Sequence, residues 1–422
     1  SRYWIESLQE QSPHRAAPPC PYFFRPGAAP AAVCGGCDWQ HLSYDYQLLT
    51  KRKLVEEALQ RIGRIGKPPV SDTVPVNSPA VAPADAKRGD GSAWRYRNKV
   101  QIPFTERDGR LTAGFYAPGS HHIVPFEDCL VQTEESVRVF RAVREWFLKN
   151  PVQAYDQDAR RGWLRHLLVR TNAKGEALAA LVTNGPSFPH AVEFSRHLTA
   201  ACPFVVSLFQ NVNVHPGNVV LGPEWRHLHG KRYLAEEMLR LKFRLSPGSF
   251  FQVHHAMAEK LYRMVESFAA PNPQESVLEL YAGVGAIAQM LAKNSRFVWA
   301  VEENPQAVED AIASAGWNNL RNVRFLLGRC ETSLARGRFR KGMSDRLGTV
   351  VLDPPRAGCE QHVLRALMRL EPKKIVYVSC DPATLARDAR YLVTGGYHLR
   401  RCTPVDLFPQ TSHIESVSEF TK

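Results

Sequence analysis

Short apolar segments alternate with helically spaced apolar residues along the second half of the chain. The apolar segments are SVLEL, FVWAVEEN, NVRFLLG, GTVVLDPPRAG and KIVYVSC, and each fits a buried parallel strand. The stretches between them fit helices. Such alternation is typical of a doubly wound sheet with helices on both faces. We therefore expect a Rossmann-like α/β domain over residues 241–422.

The first half carries apolar segments that turn residues separate. WRYRNKVQIPF, LTAGFYAPGSHHIVPF, LRHLLVRTN, EALAALVTN and VVSLFQNVN fit strands of a mixed sheet. Before them, apolar residues from Leu42 to Ile62 are spaced as in a helix, and Gly63 is a natural end. Residues 66–93 are rich in Pro and Ala and predict a surface loop. We expect a central, mixed α+β domain over residues 19–240.

Composition narrows the class of protein. The chain has 422 residues, of which 44% are apolar, and this suggests two or three domains with large cores. Its 54 Lys and Arg against 41 Asp and Glu give a net charge of +13, which favours a polyanionic partner. No apolar run is long enough to span a membrane, and the first residues do not form a signal peptide. We expect a cytoplasmic protein.

Nine cysteines in such a chain favour free thiols, metal ligands or catalysis over a disulfide framework. In Cys34-Gly-Gly-Cys37 a tight turn places two sulfurs on one side, as a soft metal requires. Cys20 precedes this turn, and Cys129 in PFEDCLVQ is the best distant candidate for a further ligand. The spacing alone does not distinguish zinc from an iron–sulfur cluster.

A glycine-containing turn follows the first strand of the second domain. In Tyr281-Ala-Gly-Val-Gly-Ala286, Gly283 and Gly285 allow a ligand to approach the backbone. Glu302 ends the next strand, 19 residues after Gly283, where a carboxylate accepts ribose hydroxyls. The third glycine of dinucleotide sites is missing, and together with the acid of LEL this favours S-adenosylmethionine over NAD. A turn packed only for structural reasons is the alternative.

The strand GTVVLD leads into Asp353-Pro-Pro-Arg356. Each proline fixes φ and the residue before it stays extended, so Asp353 is held rigidly at the strand end. Amino-group methyltransferases use a similar Asp-Pro-Pro, followed by an aromatic residue that stacks on the base. Arg356 stands at that position here, so amino methylation becomes the second interpretation.

Cys380 ends the segment KIVYVSC, and Asp-Pro follows it. An inert cysteine in the core is one interpretation. Its place at a strand end, at the same sheet edge as the glycine turn and Asp353, favours a nucleophile. C5 of uracil attacks a sulfonium methyl group only after a nucleophile has added to C6, and a base must then remove the C5 proton. Glu415, in the predicted hydroxyl-rich loop FPQTSHIESVSEF, is a candidate for that base.

Together these motifs resemble the RNA uracil-5-methyltransferases, specifically the bacterial iron–sulfur branch that makes 5-methyluridine in 23S ribosomal RNA. The resemblance covers nearly the whole chain and joins, in order, CGGCDWQHL, YRNKVQIPF, GFYAPGSHHIVPFEDC, SPGSFFQVHHAMAEKLY, VLELYAGVG, VVLDPPRAG, IVYVSCDPATLARD and PVDLFPQTSHIESV. It implies a class I methyltransferase domain, a central iron–sulfur domain, and a monomer that acts on a single-stranded or loop uridine of ribosomal RNA.

The resemblance also implies roles for particular residues. Cys380 resembles the nucleophile and Glu415 the general base, while Asp353 lines the pocket between cofactor and uracil. The expected contacts to S-adenosylmethionine are Gln252, Tyr281, Gly283, Gly285, Glu302 and Asp353. The expected ligands of a 4Fe-4S cluster are Cys20, Cys34, Cys37 and Cys129.

Relatives in this branch often begin with a small RNA-binding β-barrel, and residues 1–18 resemble only a remnant that follows such a barrel. Arg95, Arg97 and Lys99 of WRYRNK alternate along a predicted strand and are candidates for a face toward phosphates, with an ordinary solvated strand face as the alternative. Three alternatives stay open: methylation of the T-loop uridine of transfer RNA, amino methylation of RNA, and a non-enzymatic iron–sulfur protein that binds RNA.

Overall fold

The computed structural model describes residues 9–29, 32–78, 85–86, 91–107, 109–335 and 347–422. The chain forms two compact units. The first comprises residues 1–43 and 78–234, and the second comprises residues 44–77 and 235–422. Each unit contains a seven-stranded sheet.

The sheet of the first unit is mixed, as predicted. Its strands are β1 (Lys99–Arg107), β2 (Arg110–Tyr116), β3 (Ile123–Pro125), β4 (Leu164–Thr171), β5 (Ala177–Thr183), β6 (Val205–Val212) and β7 (Glu224–Gly230). They lie in the order β3-β2-β1-β4-β5-β6-β7. β5 and β6 run parallel, and the other neighbouring pairs run antiparallel.

Two helices, α2 (Glu134–Lys149) and α3 (Ala191–Ala201), pack on this sheet. Phe140 of α2 and Phe194 of α3 share one core with Ile102 of β1 and Leu167 of β4. The strand β7 escapes a prediction from sequence because it is a half-exposed edge strand, EWRHLHG, with few apolar residues.

The sheet of the second unit has the predicted doubly wound topology. Its strands are β10 (Ser276–Leu280), β11 (Phe297–Glu302), β12 (Val323–Leu327), β13 (Leu347–Leu352), β14 (Lys374–Ser379), β15 (His398–Val405) and β16 (Glu415–Thr421), in the order β12-β11-β10-β13-β14-β16-β15. The strands β10 to β14 run parallel, and β16 runs antiparallel to β14 and β15. Strand order reverses between β10 and β13, where open α/β sheets bind their ligands. Two further strands, β8 (Leu234–Met238) and β9 (Leu241–Leu245), form a separate pair.

Helices cover this sheet on both faces. They are α4 (His255–Ala269), α5 (Ala286–Ala292), α6 (Pro305–Trp317), α7 (Cys330–Ala335), α8 (Gln361–Leu370) and α9 (Pro382–Thr394). On one face, Val363 of α8 and Leu385 of α9 pack with Leu278, Val350 and Ile375 of the strands. The helices α4 and α5 pack on the other face.

The helix predicted near residues 42–62 is present as α1 (Tyr44–Arg61), but it belongs to the second unit. Its side chains Val55 and Leu59 are fully buried in the core of that unit. The expected domain boundaries, 19–240 and 241–422, therefore differ from the structure. Spacing within a helix shows which of its faces is buried, but it cannot show which sheet that face meets.

Part of the predicted surface loop, residues 66–93, also lies along the second sheet. Val70 and Val74 form parallel bridges with Cys402 and Val405 at the edge strand β15. Residues 79–84 and 87–90 of this loop lie outside the described residues, as do residues 1–8 of the predicted N-terminal remnant. None of the helices in the described ranges is long and apolar enough to cross a bilayer.

Candidate active site

The carboxyl ends of the parallel strands meet at one edge of the second sheet. Tyr281 directly follows β10, Glu302 ends β11, Asp353 directly follows β13 and Cys380 directly follows β14. Because these strands are parallel, residues distant in sequence arrive at the same edge.

Glu415 reaches this edge by the opposite route. It is the first residue of β16, which runs antiparallel to β14, and the next residue, Ser416, pairs with Ser379. The start of β16 therefore lies beside the end of β14, and Glu415 lies near Cys380. The sequence suggested a loop for Glu415, but the structure places it at the first position of a strand, directly after the segment 406–414.

Seven of the eight residues predicted to bind the cofactor or to catalyse the reaction line one cavity of about 610 Å³. They are Gln252, Tyr281, Gly283, Glu302, Asp353, Cys380 and Glu415. The eighth, Gly285, is turned toward the protein interior. A Cβ at this position would lie 2.4 Å from the ring of Phe325, and the φ angle of Gly285 is +74°. Its function in the turn is close packing, not ligand contact.

The glycine turn and Glu302 form one hydrogen-bonded unit. The N–H of Gly283 donates to Oε2 of Glu302 at 2.7 Å, and the N–H of Asn304 donates to Oε1 at 2.8 Å. Gly283 has a φ of +55°, and a Cβ at this position would project into open space. The carboxylate is therefore held in place at the cavity, with lone pairs left for the hydroxyls of a ribose.

Two further acids line the cavity, the buried Glu279 and the half-buried Asp353. Oε2 of Glu279 is buried and has no hydrogen-bond partner among the residues that the structure describes, and burial raises the pKa of this carboxyl well above its usual range. Burial also raises the pKa of Asp353 to about 7. Acids of this kind become ionised when a cation binds beside them.

These residues fit S-adenosylmethionine, which carries a sulfonium, an ammonium group and a ribose diol. Glu302 is placed for the diol, and the acids Glu279 and Asp353 suit a cation. The open space at Gly283 admits a ligand to the backbone.

Cys380 is half-buried, and its thiol is protonated at neutral pH in this structure. Burial, and then the charges of Glu415 and Asp353, raise the pKa of the thiol to about 12, while Arg356 lowers it. Burial and the charge of Asp353 likewise raise the pKa of Glu415 well above its usual range, and Arg356 again opposes the shift. The thiol, the two acids and Arg356 therefore form one electrostatic group.

In the sequence, Arg356 was noted only because it replaces the aromatic residue that follows Asp-Pro-Pro in amino-group methyltransferases. In the structure it lines the cavity, and its guanidinium lies 3.2 Å from Nδ1 of His413. A positive charge beside a candidate thiolate was the signal that could have identified it.

Phe250 is a second residue that the sequence analysis did not single out. It lines the cavity, although 61% of its surface is exposed, whereas its neighbour Phe251 is buried in the core. An exposed aromatic ring that lines the cavity is suited to stacking on an unpaired base. The doubled Phe of SFFQV was the available signal.

The four predicted cluster ligands all lie in the first unit and are half-buried. The charge of Cys129 raises the pKa of Cys20, Cys34 and Cys37, and burial raises all four thiol pKa values. The charges of these thiols therefore influence one another, and their assignment as four ligands of one cluster stays a prediction.

This cysteine set is not a preformed metal site. Within the described parts of the chain, no group of three or more Cys, His, Asp or Glu side chains is arranged to hold a metal ion. The donor chemistry nevertheless fits a soft metal centre. The N–H of Gly36 donates to Sγ of Cys34 at 3.4 Å, and backbone N–H groups of Tyr22 and Phe23 favour the thiolate of Cys20. Such hydrogen bonds stabilise ligating thiolates.

The expected phosphate-binding face of WRYRNK is wrong. Arg95 is buried and donates to both carboxylate oxygens of Asp128, at 2.8 and 2.7 Å, and to the carbonyl of Cys129. Arg97 donates to the carbonyl of Lys99. Burial, and then a nearby arginine, lower the pKa of Lys99 to about 7, so this amine is only partly charged. The strand begins only at Lys99, so the alternation read from the sequence does not apply to the other two residues.

Comparison with known proteins decides the family. A model of the tRNA (uracil-5-)-methyltransferases matches residues 230–421. An uncharacterized RNA methyltransferase of Halalkalibacterium halodurans is 39% identical over 415 residues, which cover 98% of this chain and 85% of the relative. The chain belongs to the RNA uracil-5-methyltransferase family. It is an enzyme that uses S-adenosylmethionine to methylate uracil in RNA.

Other members of the family agree. An uncharacterized RNA methyltransferase of Clostridium tetani is 38% identical over 407 residues, covering 96% of this chain and 83% of the relative. A similar solved structure is the Pyrococcus abyssi tRNA (uracil-54, C5)-methyltransferase in complex with S-adenosyl-L-homocysteine, with a TM-score of 0.74 and 26% identity. The match covers 98% of this chain and 88% of that enzyme.

Proposed function

We propose that this uracil-5-methyltransferase acts on a uridine of 23S ribosomal RNA through a covalent bond between Sγ of Cys380 and C6 of the base. The observation that carries the proposal is the convergence of Cys380, Asp353 and Glu415 on the cavity that also contains the glycine turn. A core cysteine would have no reason to share a cavity with two acids at the sheet edge where such folds bind ligands.

The protein groups act in sequence. The thiolate of Cys380 adds to C6, and the electron pair of the C5–C6 double bond moves onto C5 and O4. Bound S-adenosylmethionine supplies a methyl group that the positively charged sulfur makes electrophilic. After C5 has taken up this methyl group, the carboxylate of Glu415 removes the C5 proton. The double bond re-forms, the C6–S bond breaks and the thiolate leaves.

Arg356 and Phe250 support these steps from the rim of the cavity. The charge of Arg356 favours the ionised forms of both Cys380 and Glu415, which are the forms that react. The exposed ring of Phe250 provides a surface on which an unstacked uracil can rest. The target uridine must leave its stack, because C6 cannot otherwise meet a thiol.

The proposal of ribosomal RNA as the substrate rests on the cysteine set. We propose that Cys20, Cys34, Cys37 and Cys129 hold a 4Fe-4S cluster in the first unit, as the resemblance to the ribosomal branch implies. Two observations support this assignment. The charges of the thiols raise one another's pKa values, and the N–H of Gly36 donates to Sγ of Cys34.

Transfer RNA is the second candidate substrate. The Pyrococcus abyssi enzyme, whose structure matches 98% of this chain, acts on uracil-54 of transfer RNA. Because that match extends over both units, the fold by itself favours neither RNA.

Mapping of 5-methyluridine separates the candidates. Ribosomal and transfer RNA from cells without this protein, and from the same cells supplied with the wild-type or the Cys380→Ala protein, are digested and analysed by mass spectrometry. We expect 5-methyluridine in 23S RNA with the wild-type protein and none with Cys380→Ala. New 5-methyluridine in transfer RNA alone would support the second candidate, and its formation by Cys380→Ala would contradict the covalent mechanism.

A further inference from the structure

A buried ion pair joins α1 to the segment that leads into β16. Nζ of Lys51 lies 2.6 Å from Oδ1 of Asp406, and both side chains are fully buried. Lys51 also donates to the carbonyl of Phe408 at 3.0 Å. We call these three groups the latch. Its partners are 355 residues apart in sequence, and both lie in the second unit.

A pair of glutamines extends this contact by one turn of α1. The N–H of Gln410 donates to Oε1 of Gln47 at 3.0 Å, and Nε2 of Gln47 donates to Oε1 of Gln410 at 3.1 Å. Gln410 has a φ of +68°, a left-handed conformation that a residue with a side chain rarely adopts. The helix therefore holds an unfavourable backbone conformation in place.

The segment that the latch holds carries part of the active site. Phe408, His413 and Glu415 all line the cavity. The ring of Phe408 meets the ring of His413 edge-on, with centroids 5.8 Å apart, and His413 contacts Arg356. A continuous path of contacts thus runs from Lys51 to the group of charges around the cavity.

Stability alone does not explain this arrangement. Two charges removed from water lose their hydration, and apolar side chains of similar size often stabilise a protein as well as a buried ion pair or better. What the pair does provide is a fixed geometry, because Lys51 reaches Asp406 and the carbonyl of Phe408 at the same time.

We propose that Lys51 is a positioning residue for the methyl-transfer reaction. Through Asp406 and the carbonyl of Phe408 it fixes the segment 406–413, and it thereby sets the position of Glu415 against the substrate. Cys380 follows β14, in a different segment of the chain from the one that the latch contacts. Loss of the latch should therefore impair removal of the C5 proton more than addition of the thiol. This inference rests on the proposed role of Glu415.

The test compares the full-length wild type with two latch variants and one control. Lys51→Met leaves Asp406 buried without its cation and should lower stability, whereas Lys51→Met/Asp406→Leu removes both charges and should restore it. Arg52→Met removes the next cation of the same helix, whose ion pair with Asp72 is exposed. Each protein receives unmodified ribosomal and transfer RNA transcripts with labelled S-adenosylmethionine. Turnover and the denaturation-resistant protein–RNA adduct are both measured.

We expect the double variant to fold with wild-type stability, to turn over at least about tenfold more slowly, and to accumulate adduct. The control should match the wild type in both measurements. A double variant with wild-type turnover and adduct would overturn the proposal. So would an equal loss of adduct and turnover, or a double variant that fails to fold, because either result assigns the pair a purely structural role. If the wild type itself methylates neither RNA, the proposed function fails instead.

Discussion

The candidate nucleophile is a thiol that its own surroundings keep protonated. Two acids and burial raise the pKa of Cys380 to about 12, far above the usual value for a reactive cysteine. In this state the thiol does not add to a base. A positive charge placed in the cavity would reverse the effect of Asp353 and Glu415 on the thiol. We therefore expect binding of the cationic methyl donor to lower the pKa of this thiol and so to favour the reactive thiolate.

Replacement of Glu415 should separate the two halves of the reaction. In Glu415→Gln the amide cannot accept the C5 proton, so addition and methyl transfer proceed and the enzyme then remains bound to RNA through Cys380. We expect a denaturation-resistant adduct and a loss of turnover of about 100-fold or more. Gel electrophoresis of labelled RNA after denaturation measures both. Cys380→Ala is the control and should form no adduct; an adduct in that variant would assign the nucleophile elsewhere.

Replacement of Arg356 should shift the pH dependence of adduct formation. Arg356 lowers the pKa of the Cys380 thiol, and the thiolate is the reactive form, so the rate rises with pH. Without this cation the thiol pKa rises further, and the same rate is reached only at higher pH. For Arg356→Gln we expect adduct formation with 5-fluorouridine RNA to slow about 3- to 10-fold near pH 7.5, which corresponds to up to about one pKa unit.

The matched control for this prediction is Arg356→Lys, which keeps the charge and should retain most of the rate. If the Gln variant follows the wild-type pH profile, Arg356 acts through its contact with His413 and not through its charge.

At the scale of elements, the sequence correctly predicted the strands that are apolar along most of their length. It did not predict strands that are polar or that form only by pairing with segments distant in the sequence. The segment KIVYVSC became the interior strand β14, and five of the six residues in that strand are buried. The edge strand β7 has no such run. Glu415 was assigned to a loop because Ser and Thr surround it, yet its pairing with β14 and β15 makes it the start of a strand.

The two glycines of the turn should respond differently to substitution, because Gly283 faces the cavity and Gly285 packs against Phe325. Gly283→Ala places a Cβ in open space at the cavity and forces Ala into a left-handed conformation, at a cost of about 1–2 kcal/mol in the free energy of unfolding. We expect a loss of affinity for S-adenosylhomocysteine of about tenfold or more, because the methyl group faces the ligand. Calorimetry and urea denaturation measure the two effects.

Gly285→Ala is the matched comparison. Its Cβ would meet the ring of Phe325, so the main effect should be a loss of stability of about 2–4 kcal/mol. If both variants lost affinity equally at equal stability, the assignment of Gly285 to packing would be wrong.

For the whole molecule, seven of the eight predicted residues line the cavity. The alternation of strands and helices brings Tyr281, Glu302, Asp353 and Cys380 to one sheet edge, whereas Gln252 was predicted only from the resemblance to the family. Sequence reasoning could not place α1, because an amphipathic helix carries no record of its partner sheet. For the same reason it missed Lys51 and Asp406, whose contact exists only after the chain has folded. What escapes prediction here is the long-range pairing of residues that look ordinary in their local sequence.

The cysteine set concerns the first unit as a whole, and its prediction follows from thiolate chemistry. Methyl transfer needs no electron transfer, so we expect the cluster to be structural and to hold residues 20–37 against Cys129. Protein purified without oxygen should be brown, and Cys37→Ser should be colourless and should unfold at a lower temperature. Cys202→Ser, which alters a buried cysteine of the same unit outside the set, should stay brown. Iron and zinc analysis together with absorption spectra test this prediction. A colourless wild type with one bound zinc would keep the thiols as metal ligands but exclude the 4Fe-4S cluster. It would also remove the main reason for preferring ribosomal RNA as the substrate.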